Sequence, residues 1–152
     1  MRVAEGAKAP AFSLPASGGR TVASAGLKGL PYVLYFYPKA DTSGCTKEAQ
    51  QFQALLGEFA AKHCAVIGVS RDPMKALDKF AEKYGLSFPL ASDEAGTLTE
   101  AYGVWLEKSM YGRTYMGIER STFLVGGDGK VLKAWHKVKV DLHAAEVLKA
   151  VK

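Results

Sequence analysis

The apolar positions along the chain change their spacing from one segment to the next, and each spacing predicts a different element. Short alternating stretches on both sides of Ser17-Gly18-Gly19 predict a strand, a turn and a second strand near the start. A continuous aromatic and β-branched run from Tyr32 to Tyr37 predicts a buried central strand, which Pro38 ends. The chain is therefore predicted to open with a hairpin and then to enter its core.

Helical spacing begins after this strand. From about Ser43 to His63 the apolar residues recur every three or four positions, which predicts one long helix. The apolar run from Cys64 to Val69 predicts a parallel strand. A second amphipathic segment, Pro73 to Tyr84, begins with a proline and is followed by Gly85, which is the usual order of helix start and stop signals.

The second half of the chain predicts shorter elements. Phe88 to Ala91 predicts a short strand, and a short helix follows it. The segment before Arg120, which is rich in aromatic residues and methionine, is predicted as a loop. Two apolar runs flank Gly126-Gly127-Asp128-Gly129 and predict a hairpin, and Leu142 to Val151 predicts a closing helix.

Strand and helix alternation, followed by an antiparallel pair, predicts a mixed central sheet with helices on both faces. This is the outline of an α/β protein with a thioredoxin-like fold and an N-terminal β-hairpin extension. The length of 152 residues is that of one ordinary domain, so we expect a single domain over residues 1–152.

Charge and composition exclude several classes of protein. The net charge of +5 includes a lysine cluster around Lys133 that could indicate nucleic-acid binding, but exposed lysines on an edge strand explain it better. The longest uncharged segment near the core, residues 29–38, is too short to span a membrane, which takes about 20 residues. Glu5 and Lys8 interrupt any apolar stretch of a secretory signal. We therefore expect a cytoplasmic protein that binds neither membrane nor nucleic acid.

The chain contains two cysteines, and they differ in their predicted surroundings. Neither belongs to a C-x-x-C pair, and two are too few for a disulfide scaffold. Cys45 falls in the first turn of the long predicted helix, where unpaired N–H groups and the helix dipole favour a thiolate. Gly44 before it allows a ligand to approach the backbone closely. By position alone, Cys45 is either an activated nucleophile or a small buried apolar residue.

Several separate motifs resemble one family. Pro38-x-x-x-Thr42-x-x-Cys45 is similar to the active-site signature of peroxiredoxins. Longer stretches resemble the peroxiredoxin Q group, also called bacterioferritin comigratory proteins, and the resemblance runs from about Ala4 to Val151. These stretches are Phe36-Tyr37-Pro38-Lys39, Gly44-Cys45-Thr46-Lys47-Glu48-Ala49, Lys108-Ser109-Met110-Tyr111-Gly112-Arg113-Thr114-Tyr115-Met116-Gly117 and Arg120-Ser121-Thr122-Phe123-Leu124-Val125.

The resemblance implies that the protein is a thiol-dependent peroxidase for hydrogen peroxide and organic hydroperoxides. It implies that Cys45 attacks the peroxide and becomes a sulfenic acid, while the Thr42 hydroxyl and the N–H groups of Gly44 and Cys45 bind the peroxide oxygens. It also implies that Arg120 lies on a neighbouring strand and that its guanidinium lies near the sulfur.

The same resemblance implies supporting roles for two further residues. Pro38 would shield the sulfur from water. Glu48, one helical turn after the nucleophile, would orient Arg120 through an ion pair, although a solvated helix charge is an equal alternative. No metal-ligand spacing and no phosphate-binding loop is present, so we expect neither metal nor cofactor.

The sequence departs from this family at the second cysteine of the reaction. Many members carry a resolving cysteine five residues after the first, where this chain has Gln50. On one continuous helix, Cys64 would lie roughly 27–29 Å from Cys45, whereas a disulfide needs Cα atoms within about 7 Å. We therefore expect no resolving cysteine within the chain, and reduction by thioredoxin, a glutaredoxin system or a small-molecule thiol. An intermolecular bridge to Cys64 stays open, as does the choice between a monomer and a weak homodimer.

Two other functions remain as alternatives. One is a thioredoxin-like thiol–disulfide oxidoreductase, which the missing second active-site cysteine disfavours. The other is a non-catalytic holdase or nucleic-acid binder that uses the basic face, for which substitution of Cys45 would have no effect.

Overall fold

The structure is a computed structural model that describes residues 3–152. Residues 1 and 2, at which the predicted domain begins, lie outside the described residues. In chain order the strands are β1 (Ser13–Ala16), β2 (Arg20–Ala23), β3 (Tyr32–Phe36), β4 (Ala65–Ser70), β5 (Leu90–Ser92), β6 (Trp105–Met110), β7 (Arg113–Ile118), β8 (Ser121–Val125) and β9 (Val131–Trp135). The helices are α1 (Ser43–Ala54), α2 (Leu56–Ala61), α3 (Met74–Tyr84), α4 (Thr97–Ala101) and α5 (His143–Ala150).

Strand β3 runs through the middle of a seven-stranded sheet of order β2-β1-β5-β4-β3-β8-β9. It pairs in parallel with β4 and antiparallel with β8, so the sheet is mixed, as predicted. All five residues of β3 are buried, which agrees with the aromatic and β-branched run that predicted a central strand. The predicted N-terminal hairpin is also present, as the antiparallel pair β1 and β2.

Two apolar cores lie on opposite faces of the sheet because successive side chains of a strand point to opposite sides. Val33 and Tyr35 of β3 pack with residues from α1, α2, α3 and α5. Leu34 and Phe36 pack with Leu98 of α4 and with residues beside the second sheet. The predicted fold, a thioredoxin-like sheet with helices on both faces, is confirmed.

The prediction of one continuous helix from Ser43 to His63 is wrong. The helical geometry is interrupted between α1 and α2 at Leu55, whose backbone angles are φ −100° and ψ 3°. Its N–H donates both to Gln51 and to Phe52, so the last turn of α1 tightens before α2 begins. Phe59, four residues after the interruption, is fully buried.

The segment before Arg120 is also not the loop that the sequence predicted. Strands β6 and β7 form a two-stranded antiparallel hairpin separate from the main sheet, with Trp105 opposite Ile118 and Met110 opposite Arg113. Arg120, expected on a strand, lies in the two-residue connection between β7 and β8. Its position next to the first residue of β8 is what places it at the site.

Candidate active site

Cys45 lies at the end of the sheet where the central strand gives way to a helix. Residues 37–42 form a short loop after β3, and α1 begins at Ser43. The N–H of Thr46 donates to the Thr42 carbonyl at 2.8 Å and closes the first turn. Cys45 is the third residue of α1 and only 1% exposed. Its sulfur is therefore next to the turn whose N–H groups have no carbonyl partner within the helix.

One guanidinium joins the sulfur to a buried carboxylate. Nη2 of Arg120 donates to Sγ of Cys45 at 3.3 Å, and Nη1 donates to Oε1 of Glu48 at 2.6 Å. The Arg120 side chain is 17% exposed and that of Glu48 is fully buried. Of the two readings of Glu48 that the sequence left open, the structure shows the ion pair and excludes a solvated helix charge.

The pKa values of both members of this buried pair, Glu48 and Arg120, differ from their usual values. Burial raises the pKa of Glu48 to about 7, against the opposing effect of the Arg120 charge. Burial opposes the charge of Arg120, but the negative charges of Glu48 and Cys45 together raise its pKa above its usual value. Arg120 is therefore a permanent cation in hydrogen-bond contact with the Cys45 sulfur.

The remaining predicted site residues lie in the loop and at the start of α1. Thr42 occupies the N-cap position, but its hydroxyl donates to the Lys39 carbonyl at 2.8 Å instead of capping the helix. Thr42 and Pro38 are both exposed. Gly44 is tight against the arginine, because a Cβ at this position would lie 3.2 Å from Nη2 of Arg120.

Three charged residues near this loop were not singled out from the sequence. Asp72, between β4 and α3, accepts a hydrogen bond from the N–H of Ala40 at 2.8 Å. Asp41 accepts from Tyr84 and Lys83 of α3. These contacts join parts of the chain more than 30 residues apart, so no local pattern indicates them.

The second cysteine belongs to a different part of the fold. Cys64 directly precedes β4, where Ala65 pairs with Tyr32 at the start of β3, whereas Cys45 follows the end of β3. The strand alone separates these ends by about 13 Å, beyond the reach of a disulfide. The distance predicted for one continuous helix therefore does not apply, and the two cysteines lie toward opposite ends of β3. Both thiols are free, and burial raises the pKa of Cys64 to about 12.

Residues 3–152 contain neither a metal-binding cluster nor a helix that could span a membrane. No group of three or more histidine, cysteine, aspartate or glutamate side chains is arranged to hold a metal ion. No helix in this range has both the length and the apolar character needed to cross a bilayer. His143, the first residue of α5, is buried, with Nε2 2.8 Å from the hydroxyl of Thr122.

Comparison with known proteins identifies the family. Residues 6–134 match the model of the AhpC/TSA family. Peroxiredoxin Bcp of Bacillus subtilis is 45% identical over 152 residues, which cover 100% of this chain and 97% of that protein. Peroxiredoxin Bcp of Xanthomonas campestris is 48% identical over 146 residues, or 95% of this chain and 91% of that protein.

Solved structures agree with this assignment. Xanthomonas campestris peroxiredoxin Q superposes with a TM-score of 0.88 at 47% identity, over 92% of this chain and 89% of that one. A Xylella fastidiosa PrxQ mutant superposes with a TM-score of 0.93 at 39% identity, over 98% and 95% of the two chains. The chain therefore belongs to the AhpC/TSA family, within its peroxiredoxin Q and Bcp group, and is a thiol peroxidase.

Proposed function

We propose that Cys45 is the nucleophile of a one-cysteine peroxidase cycle. The observation that carries the proposal is the contact between Cys45 and Arg120, because a fixed cation 3.3 Å from the sulfur stabilises the thiolate that attacks a peroxide. Among residues 3–152, no cation donates a hydrogen bond to the Cys64 sulfur, and burial raises the pKa of this thiol to about 12. The two thiols thus divide into one suited to the reaction and one unsuited to it.

The first half of the cycle oxidises the sulfur. The Cys45 thiolate attacks the terminal oxygen of a hydroperoxide, the O–O bond breaks, and an S–O bond forms. The product on the protein is a sulfenic acid, and the leaving alkoxide or hydroxide takes up a proton to become an alcohol or water. Negative charge moves from sulfur to the leaving oxygen, so donors aimed at both atoms lower the barrier.

The donors available at this point are side-chain and backbone groups of the loop and helix start. We assign the N–H groups of Gly44 and Cys45 as donors to the peroxide oxygens. We assign the Thr42 hydroxyl, which donates its own hydrogen to the Lys39 carbonyl, as the acceptor for the peroxide O–H. Arg120 holds the sulfur with one nitrogen, while its other nitrogen is fixed by Glu48, so that the guanidinium keeps its orientation. We assign Pro38, which carries no N–H and lies on the exposed face of the loop, to limiting the access of water.

The second half of the cycle needs a thiol from outside the chain. The position five residues after Cys45 is Gln50, and Cys64 lies beyond disulfide distance. One external thiol displaces water from the sulfenic acid and forms a mixed disulfide, and a second thiol then releases Cys45 and leaves as a disulfide. Thioredoxin, a glutaredoxin system or a small-molecule thiol can each supply these two electrons.

We propose hydrogen peroxide and organic hydroperoxides as the substrates. A bacterioferritin comigratory protein of Xanthomonas campestris, 46% identical to this chain, has been studied for its alkyl peroxide reduction activity. We place the reaction in the cytoplasm, where external thiols stay reduced. We propose a monomer or a weak homodimer, with no nucleic-acid or membrane partner.

Intact mass spectrometry under non-reducing conditions, after one equivalent of peroxide, tests the cycle. We expect the reduced monomer to gain the mass of one oxygen, to lose that mass on treatment with a thiol, and to be inert as Cys45→Ser. A loss of two hydrogens would show an internal disulfide, and a doubled mass would show a bridge between two chains. Either result would overturn the one-cysteine cycle, whereas full peroxidase activity of Cys45→Ser would overturn the role of Cys45.

A further inference from the structure

The loop between β3 and α1 is held in its middle by a carboxylate from another part of the chain. Oδ2 of Asp72 accepts a hydrogen bond from the N–H of Ala40 at 2.8 Å. Ala40 precedes Thr42 by two residues and Cys45 by five. The contact therefore joins the connection between β4 and α3 to the segment that carries the proposed peroxide-binding groups.

Asp72 is itself held from two neighbouring strands. The hydroxyl of Ser70 donates to the same Oδ2 at 2.7 Å, and the hydroxyl of Ser92 donates to the Asp72 carbonyl at 2.7 Å. Ser70 and Ser92, which end β4 and β5, are both buried. A side chain fixed by packed neighbours in this way holds its partner more precisely than a free surface carboxylate does.

The backbone next to Ala40 adopts a conformation that needs such support. Asp41 has φ 61°, in the left-handed region that non-glycine residues seldom adopt. Its carboxylate accepts from Tyr84 Oη at 2.7 Å and from Lys83 Nζ at 3.0 Å. Strained backbone persists only where its surroundings fix it, and here Asp72 fixes one side of the turn and α3 the other.

We propose that Asp72 is a positioning residue for the reaction of Cys45 with peroxide. By fixing the Ala40 amide it sets the Lys39 carbonyl and hence the Thr42 hydroxyl, which donates to that carbonyl. The inference rests on the proposed function and deepens it. Arg120 acts on the sulfur directly, whereas Asp72 acts on the loop that receives the substrate.

Two reactions of the Cys45 thiol are expected to depend on Asp72 to different extents. Peroxide reduction needs both the thiolate and the correctly placed loop, because a displacement of about 1 Å in a site can cost 10²-fold in rate. Alkylation of Cys45 by iodoacetamide needs the thiolate and makes no use of the peroxide-binding groups. Loss of Asp72 is expected to slow the first reaction and to spare the second.

The test measures both rate constants for reduced wild type, Asp72→Ala, Asp72→Asn and Glu82→Ala. Asparagine keeps an acceptor oxygen for the Ala40 N–H, and Glu82 is an exposed carboxylate on α3 that provides a matched loss of charge. We expect Asp72→Ala to lose about 10- to 100-fold in the peroxide rate constant and under about threefold in alkylation. Asp72→Asn and Glu82→Ala are expected to stay within about threefold of wild type in both reactions.

Two outcomes would overturn the proposal. One is an Asp72→Ala peroxide rate constant within threefold of wild type. The other is an equal loss in both reactions, which would mean that Asp72 acts on the thiolate and not on the loop. If Asp72→Ala fails to fold, Ser70→Ala, which removes one donor that orients the carboxylate, provides the same comparison with a smaller loss. Absence of peroxide reduction by the wild type would instead contradict the proposed function, so the two failures are distinguishable.

Discussion

Cys45 and Arg120 are 75 positions apart in the chain, and the register of two strands brings them into contact. Strands β3 and β8 are antiparallel neighbours, with Phe36 directly opposite Ser121. The end of β3, from which the chain leads to Cys45, thus meets the start of β8, which Arg120 precedes. This register brings together the two chain segments that carry the sulfur and the guanidinium.

Arg120→Lys is expected to lose about 10²-fold or more in the rate of peroxide reduction. A lysine has one ammonium group and no planar fork, so it does not hold Cys45 and Glu48 through two separate nitrogens. Stopped-flow kinetics of the reduced protein measures the loss. The control is Arg113→Lys, which changes an exposed residue of β7 and is expected to keep the wild-type rate. Equal rates for both variants would show that Arg120 takes no part in the reaction.

Gly44→Ala is expected to slow peroxide reduction by about tenfold without unfolding the protein. The added Cβ would lie 3.2 Å from Nη2 of Arg120, so the guanidinium must shift by a few tenths of an ångström, which disturbs its contact with the sulfur. Gly57→Ala in α2 is a matched control because a Cβ there has no neighbour within 4 Å. Rate constants and thermal unfolding of both variants check this, and a Gly44→Ala enzyme as fast as wild type would contradict it.

Cys64 is expected to be chemically silent in the folded protein. Burial raises its pKa to about 12, so its thiolate is scarce at neutral pH. Brief treatment with iodoacetamide at pH 7 is expected to label Cys45 alone, and treatment in urea to label both thiols. Cys64→Ala is expected to keep the wild-type rate of peroxide reduction. Labelling of Cys64 in the native protein, or loss of the peroxide reaction in Cys64→Ala, would contradict this prediction.

His143 is expected to make the protein less stable in mild acid. Burial lowers its pKa from an ordinary value of 6.5 to about 4, so the unfolded chain binds a proton more readily than the folded one between these values. Its contribution to the free energy of unfolding is complete above about pH 6.5 and is lost as the pH falls toward 4.

Urea midpoints at several pH values between 4 and 7 measure this loss. We expect His143→Asn to show a smaller decrease on acidification than the wild type, because asparagine does not titrate. The control is His63→Asn, at a turn with φ 57° where asparagine is tolerated, and it is expected to retain the wild-type decrease. Identical pH profiles for wild type and His143→Asn would show that another group is responsible.

Sequence patterns within a few residues were sufficient to predict the elements that depend on short-range interactions. The run from Tyr32 to Tyr37 predicted β3 because a strand buried on both faces has few polar positions. The stop at Pro38 and the helical spacing after it placed Cys45 in a first helical turn. The interruption at Leu55 was missed because residues 43–63 keep their apolar spacing across it.

By itself, the sequence determined the family, the order of most elements and the identity of the candidate nucleophile. These depend on motifs and on spacing within a few residues, which survive without a folded chain. The tertiary structure decided that Glu48 is buried against Arg120, that Asp72 holds the loop at Ala40, and that Cys64 lies at the far end of β3. Each of these depends on strand register or on burial, and neither is encoded at any single position of the chain.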